Sequence, residues 1–431
     1  MKEVRRSLTY IPEVLIMPPS FPRLLDRFCR YVRFDTQAVE GAATYPSSPG
    51  QLELGRLLTE ELRQIGLADA VQSEHGIITA TVPATVNRPA PVIAFLAHVD
   101  TSPETSGKGV KPQVHRDYDG RDLVLPGDPR QVLRPAEFPE LKACIGKTVI
   151  TTDGTTLLGA DDKAGVTVVM ETAAYLLAHP EIPHGPVRVC FTCDEEIGRG
   201  VDHVDIPALG ARVAYTLDGV GEGEVEGETF SADKATVTIT GVNIHPSIAK
   251  GKMVNAIRLA GMFLDRLPKR FLSPETTEGR EGFIHPYGIE GGVGQVKLGL
   301  LLRDHHTPKL AEEAELLRSV ARLLTAEYPQ ARIDVEVKQQ YRNMAEALGP
   351  EPRAMAFAER AVRQAGLEPR FPILRGGTDG AQLSHRGLPT PNLSTGEHNP
   401  HSPLEWTCVE EMESAVRVLV ELAKIWGAER D

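Results

Sequence analysis

The chain has 431 residues, with 59 acidic and 47 basic side chains and a formal net charge of −12. Its hydrophobic fraction of 41% and charged fraction of 25% are those of an ordinary globular protein and exclude wholesale disorder. The acidic balance argues against a nucleic-acid partner and an anionic membrane surface, and no apolar stretch reaches the roughly 18 residues of a membrane span.

The N-terminus opens basic, with Lys2, Arg5 and Arg6, and a mildly apolar stretch follows over 8–17. Pro12 and Glu13 interrupt it, and no small-residue cleavage site follows, so residues 1–20 read as an N-terminal extension and not a secretory signal. Helices are predicted over 23–34 and 51–65, the second with Leu54, Leu57, Leu58, Leu62 and Ile65 at helical spacing. Strands are predicted over 77–82, 92–97, 149–152, 187–192 and 213–217, with an apolar helix over 163–178. This alternation predicts an α/β fold, a mainly parallel sheet flanked by helices, over residues 21–229.

The pattern then changes. Residues 235–241 alternate with period two, as a half-exposed strand does. A helix over 255–267, a Gly-rich stretch at 291–294, a strand over 295–303, a helix to about 326 and a strand over 333–337 follow. Thr307 is the expected cap of that last helix, with Pro308 at its first position. The order predicts a smaller α+β domain inserted over 230–342. The α/β style returns over 343–431, with a helix over 354–365 and a final helix to about 426 opened by a capping box of Thr407 and Glu410.

Five cysteines make no disulfide framework, and reduced thiols suit a cytoplasmic setting. Cys190 and Cys193 form one C-x-x-C within a predicted strand, where positions three apart face opposite ways; they read as core cysteines.

Strand after strand ends in an acidic or metal-binding residue. Strand 92–97 runs into His98-Val99-Asp100, with Asp100 spaced to steer the His98 ring. Asp161 and Asp162 open the helix that follows Gly159. Strand 187–192 runs into Asp194-Glu195-Glu196, and strand 213–217 into Asp218-Gly219. His401 lies late in the chain, four residues before Glu405. Each feature alone has a plainer reading: a solvated acidic loop, a helix-capping Asp, a surface histidine. Together, at strand ends where open α/β sheets bind ligands, they predict a crevice of carboxylates that would repel one another without a cation. Nitrogen and carboxylate donors suit zinc, with manganese or cobalt possible.

These motifs, in this order, resemble the di-zinc aminoacylase/carboxypeptidase family of metallopeptidases, and within it the aminotripeptidases. The matching runs are 97–103, 150–165, 182–185, 191–198, 215–219, His245-Pro246, 375–384 and His401-x-x-x-Glu405. The resemblance implies two Zn2+ ions per subunit, Co2+ or Mn2+ being possible. His98 and Asp218 would hold one, Glu196 and His401 the other, and Asp161 would bridge them. Glu195 would be the general base and Asp100 would orient His98. Three ligand carboxylates, two dications and one hydroxide sum to about zero charge, which a cleft can hold.

The resemblance further implies a homodimer joined through the inserted lid domain, with His245 reaching a neighbouring site and Asn255 and Arg303 on the substrate side. Arg303 suits a peptide carboxylate, or else an ion pair with Asp304; Arg375 is a second candidate for that carboxylate. The implied activity is removal of the N-terminal residue from tripeptides. The alternative is a dipeptidase, carboxypeptidase or N-acyl amino-acid deacylase using the same site. One departure stands beside His401: Glu397 and His398 occupy a stretch that is Gly-rich and aromatic in the family, leaving substrate range open and His398 an alternative ligand.

Overall fold

The computed structural model describes Phe21 and residues 23–430, so the extension expected over 1–20 lies outside the described residues. In chain order its strands are β1 (Val71–Gln72), β2 (Ile78–Val82), β3 (Ile93–His98), β4 (Gln113–His115), β5 (Leu123–Val124), β6 (Val132–Leu133), β7 (Val149–Thr151) and β8 (Val187–Thr192). Then come β9 (Val213–Val220), β10 (Val225–Glu226), β11 (Ser231–Thr240), β12 (Phe283–Gly291), β13 (Gln295–Asp304), β14 (Arg332–Tyr341), β15 (Asn392–His398) and β16 (Trp406–Cys408). The large sheet runs β1-β2-β8-β3-β9-β15-β16-β7-β4, with β10 beside β15. Its centre, β8, β3, β9 and β15, is parallel, and its flanks are antiparallel.

The central strands are buried on both faces, which is why they read as unbroken apolar runs. In β3, Ile93, Phe95 and Ala97 join the main core, while Ala94 and Leu96 enter a smaller core on the opposite face. Cys193 lies in the first of these cores and Cys190 in the second, so the C-x-x-C straddles the sheet as its spacing requires. Helix Ala160–Ala178 is apolar nearly all round because it lies between the sheet and helix Val409–Ala428.

A second, antiparallel sheet, β12-β13-β11-β14, forms from the middle of the chain. Ala235, Val237 and Ile239 of β11 and Val296, Leu298 and Leu300 of β13 meet helices Ala256–Asp265 and Thr307–Glu327 on one face. The alternate residues of β11 are only half buried, the origin of its period-two pattern.

Two local expectations are corrected, and one strand lies outside the predicted pattern. Thr307 is the first residue of its helix and not its cap; its hydroxyl lies 2.7 Å from Ser231 Oγ, tying the helix to the start of β11. The capping box does not form. Thr407 is drawn into β16 opposite Glu397 and donates to Gly396 O at 2.7 Å, while Glu410 accepts the Thr148 N–H at 2.8 Å. Strand pairing outweighs the local cap there. Edge strand β12 was not predicted, because Pro286 and Gly288 break its pattern; the register shifts between them, as an edge strand tolerates.

Candidate active site

The carboxyl ends of β3, β8 and β9 deliver His98, the Asp194-Glu195-Glu196 turn and Asp218 to one crevice. Helix Ala160–Ala178 opens with non-helical backbone at Asp161 and Asp162. The loop between β15 and β16 adds His401, held at positive φ.

Asp161 stands between two histidines. Its Oδ1 lies 3.0 Å from His98 Nε2 and its Oδ2 lies 3.2 Å from His401 Nε2. His98 Nε2 is also 3.5 Å from Asp218 Oδ1, and His401 Nε2 is 2.9 Å from Glu196 Oε2. The result is two triads, His98/Asp161/Asp218 and Asp161/Glu196/His401, sharing Asp161. Asp161 Oδ1 and Glu196 Oε1 are buried and have no hydrogen-bond partner. Converging imidazole nitrogens and orphaned carboxylate oxygens at these separations are what a pair of ligated cations requires, so the donor set fits a dinuclear metal site.

The surrounding groups fix these donors. Asp100, fully buried, has Oδ1 3.3 Å from His98 Nδ1. Its Oδ1 and Oδ2 also accept the Glu195 and Glu196 N–H groups, each at 3.1 Å. Asp162 accepts the N–H groups of His98 at 3.0 Å and Gly165 at 3.1 Å. A Cβ on Gly165 would stand 2.0 Å from Leu217 O, so only glycine lets this helix approach β9 so closely. Glu405, four residues after His401, does not pair with it. Glu405 instead accepts the Leu158, Gly159 and Asp161 N–H groups at 2.7, 2.8 and 3.0 Å. His401 turns its Nδ1 to Glu104 at 3.3 Å.

The electrostatics are those of crowded anions. Burial, and then the facing Asp161, push Glu196 up to about 8, against the pull of His401. Burial raises Asp218 to about 6 and Glu195 well above the carboxylate range. Burial opposes the His98 cation, yet Asp100, Asp161 and Asp218 hold it well above its usual value. Desolvation lowers the buried Lys163, beneath the cleft, to about 8; its ammonium donates to Phe34 O at 3.0 Å.

The cleft has a volume of about 370 Å³ and is lined by Asp161, Glu195, Glu196, Asp218 and His401. Its lining also includes Glu226 and Tyr341, which no sequence motif singled out, and Glu397. Glu397 lies with Asp162 and Asp218 in a further acidic group; its departure from the family stretch was the one signal available. Buried Asp379 accepts from Thr192 Oγ1 at 2.8 Å. It sits inside the 375–384 run, but no periodicity marks it. His398 is not a ligand at this site: its Nε2 lies 2.7 Å from Glu411 Oε2 and its ring stacks on Trp406.

The remaining candidates lie elsewhere. His245 is exposed on the inserted domain, with Nδ1 2.7 Å from Ser247 Oγ. Asn255 caps helix Ala256–Asp265 through the Ile257 N–H at 2.9 Å, beside a surface concavity of about 970 Å³ remote from the carboxylates. Arg303 donates to Leu302 O at 3.0 Å and Asp233 O at 3.3 Å and packs over the Tyr341 ring; Asp304 pairs with Lys309 instead. Arg375, the second candidate for the substrate carboxylate, meets the inserted segment. Its guanidinium is taken up by Gly279 O, Glu281 O and Thr277 Oγ1 at 2.8, 3.0 and 3.0 Å, over the rings of Phe230 and Phe283.

Residues 153–425 match the model of Peptidase family M20/M25/M40. The chain is 46% identical over 403 residues to Peptidase T of Listeria monocytogenes, covering 94% of this chain and 98% of that protein. It is 46% identical over 406 residues to Peptidase T of Bacillus subtilis, covering 94% and 99%. Among solved structures, aminopeptidase PepT from Bacillus cereus superposes with a TM-score of 0.73 at 25% identity, covering 95% of this chain and 99% of that one. A dinuclear metal binding peptidase of the M20 family from Bacillus subtilis has a TM-score of 0.64 at 16% identity, covering 94% and 98%, and shares the fold.

Proposed function

The chain belongs to peptidase family M20/M25/M40, and from that premise we propose that it is a tripeptide aminopeptidase working with two metal ions in the cleft. The observation that carries this is Asp161 shared between two donor triads, with the Glu195 carboxylate beside them and in neither. The kinship with Peptidase T over almost the whole chain supports the tripeptide substrate.

His98 and Asp218 would hold one ion and Glu196 and His401 the other, with Asp161 contributing to both groups of donors; imidazole and carboxylate donors suit Zn2+, with Co2+ or Mn2+ as substitutes. When bound, such ions would lower the pKa of a ligated water and polarise the scissile carbonyl. Glu195 would accept a proton from the attacking water and return it to the departing amine, a task for a carboxylate whose burial raises its basicity. Asp100 keeps the His98 ring and the Glu195 backbone in register. Arg303, packed over the cleft-lining Tyr341 ring, is the guanidinium assigned to the substrate carboxylate.

The inserted segment is a lid through which two copies join. His245, on its surface and outside this chain's own cleft, serves the partner's cleft, and Asn255 is assigned to the substrate side. Reduced, unpaired cysteines suit a cytoplasmic enzyme of short-peptide breakdown. No helix among the described residues is long and apolar enough to cross a membrane.

The test is to incubate the metal-loaded protein with a free tripeptide, its dipeptide fragment and its N-acetylated form. Release of the N-terminal residue from the free tripeptide alone, abolished by a chelator, is the expected outcome. Cleavage of the acetylated peptide or the dipeptide instead makes it a deacylase, carboxypeptidase or dipeptidase.

A further inference from the structure

We infer that the chain carries a second kind of metal site outside the cleft: a thiolate site for one soft divalent cation such as Zn2+, formed by Cys144, Cys408 and Glu411. One donor atom from each lies within 4.8 Å of the others, and all three residues are buried. Cys144 Sγ is 3.6 Å from Glu411 Oε1. A tetrahedral zinc with thiolate bonds of about 2.3 Å and a carboxylate bond of about 2.0–2.2 Å has a sulfur-to-oxygen edge of roughly 3.5 Å, so this edge needs no rearrangement.

The surroundings are built to hold the donors. The other oxygen of Glu411 meets His398 Nε2 at 2.7 Å. That imidazole is clamped flat on Trp406, with ring centroids 3.7 Å apart and planes 4° from parallel. An imidazole fixed against a ligating carboxylate orients it toward the ion. Lys147 lies within electrostatic reach of both thiols and of Glu411 and offsets their negative charge once the thiols ionise. On binding, each thiol gives its proton to solvent, so the site takes up one dication and releases two protons; a water molecule completes the coordination. Thiolates select zinc over magnesium, calcium and manganese. Among the described residues, Cys190 and Cys193, on opposite faces of the sheet, belong to no such group.

The donors arrive from two parts of the chain: the end of the 3₁₀ turn Pro139–Cys144, and the junction where β16 ends at Cys408 and helix Val409–Ala428 opens with Glu411 in its first turn. His398 and Trp406 face each other across β15 and β16, at the root of the loop that carries His401 and Glu405. An ion held here braces that root from behind, without touching the cleft.

The experiment strips the full-length protein of metal under reducing conditions and reloads it with Co2+ or Zn2+. The Co2+ protein is expected to show thiolate-to-cobalt charge-transfer absorption, which the thiol-free cleft cannot produce. The Zn2+ protein is expected to bind one equivalent more than the cleft takes and to release that equivalent to a mercurial. Cys408→Ser and Cys144→Ser should each lose the absorption and that equivalent while retaining peptide hydrolysis. A folded, cobalt-loaded wild-type protein without the thiolate band overturns the proposal, as does a Cys144–Cys408 disulfide in the protein isolated under reducing conditions. Because the band is read on the wild-type protein, the test stands even if the serine variants fail to fold, and it is independent of the substrate assignment.

Discussion

Glu405 accepts the backbone N–H of Asp161 at 3.0 Å while its other oxygen accepts those of Leu158 and Gly159. One buried carboxylate from the loop of one histidine therefore shapes the turn that presents the shared aspartate. It does so although burial raises it to about 7, because three N–H donors converge on it.

Glu405→Gln should uncouple that turn. An amide nitrogen cannot accept, so at least one buried N–H loses its partner, at a cost of about 1–3 kcal/mol. Lower unfolding stability and weaker metal retention are expected together in denaturant titrations and metal analysis. Unchanged metal affinity would show that the turn holds itself.

Asp100→Asn should act through His98. The amide keeps the volume but loses the negative charge and half the acceptor capacity shared by His98, Glu195 and Glu196. Metal affinity should fall by about 10–100-fold, as for other partners of ligating histidines. Competition with a chromogenic chelator measures it.

Glu195→Gln should separate binding from turnover. Glu195 stands outside both donor triads, so metal content should remain at the wild-type level while kcat falls by at least about 10²–10⁴-fold. A variant with near wild-type kcat would remove Glu195 from the proton-transfer role.

Metal removal should destabilise the fold as well as silence it. Without cations, Asp161, Glu196, Asp218 and Glu195 crowd one pocket. Rebinding at 100 times the dissociation constant should restore about 2.7 kcal/mol. Thermal unfolding with and without chelator, followed by readdition of Zn2+, reads this directly.

A pH dependence is expected far from the cleft. Arg353, with Nε and Nη2 at 2.6 and 2.7 Å, and Arg212 at 2.8 Å grip Glu351 and lower its carboxyl from the usual 4.5 to about 2. A carboxyl with a depressed folded-state pKa binds its proton less tightly than in the unfolded chain. Its contribution is thus complete above about pH 4.5 and is lost as pH falls toward about 2. Glu351→Gln should lower stability at neutral pH and flatten the acid limb of the curve. Denaturant unfolding of both proteins across that range checks the sign.

The residues most legible in the sequence were those whose chemistry and periodicity agree. β3 announces itself by an apolar run buried on both faces, and His98 ends it. Asp161, Glu196, Asp218 and His401 follow at strand ends, helix entry and loop, and the structure brings them within ligand distance. What stayed hidden depends on partners distant in sequence. Thr407 and Glu410 satisfy a local capping rule, but β15 and the Thr148 N–H claim them. The contacts of Arg375 with the carbonyls of Gly279 and Glu281, nearly a hundred residues away, are likewise beyond any local pattern. Glu226 and Glu397 enter the cleft through sheet register alone, which no single strand reveals.

The pairing of β11 with β14 places Ala232 opposite Tyr341. The chain therefore leaves the large sheet and returns to it at neighbouring points, having built a whole second sheet between. Neighbouring termini make the middle segment an exchangeable module: it can be lengthened, replaced or lost while the host sheet closes over a short join. Selection can thus vary the wall that faces the peptide without disturbing the strand ends that hold the chemistry.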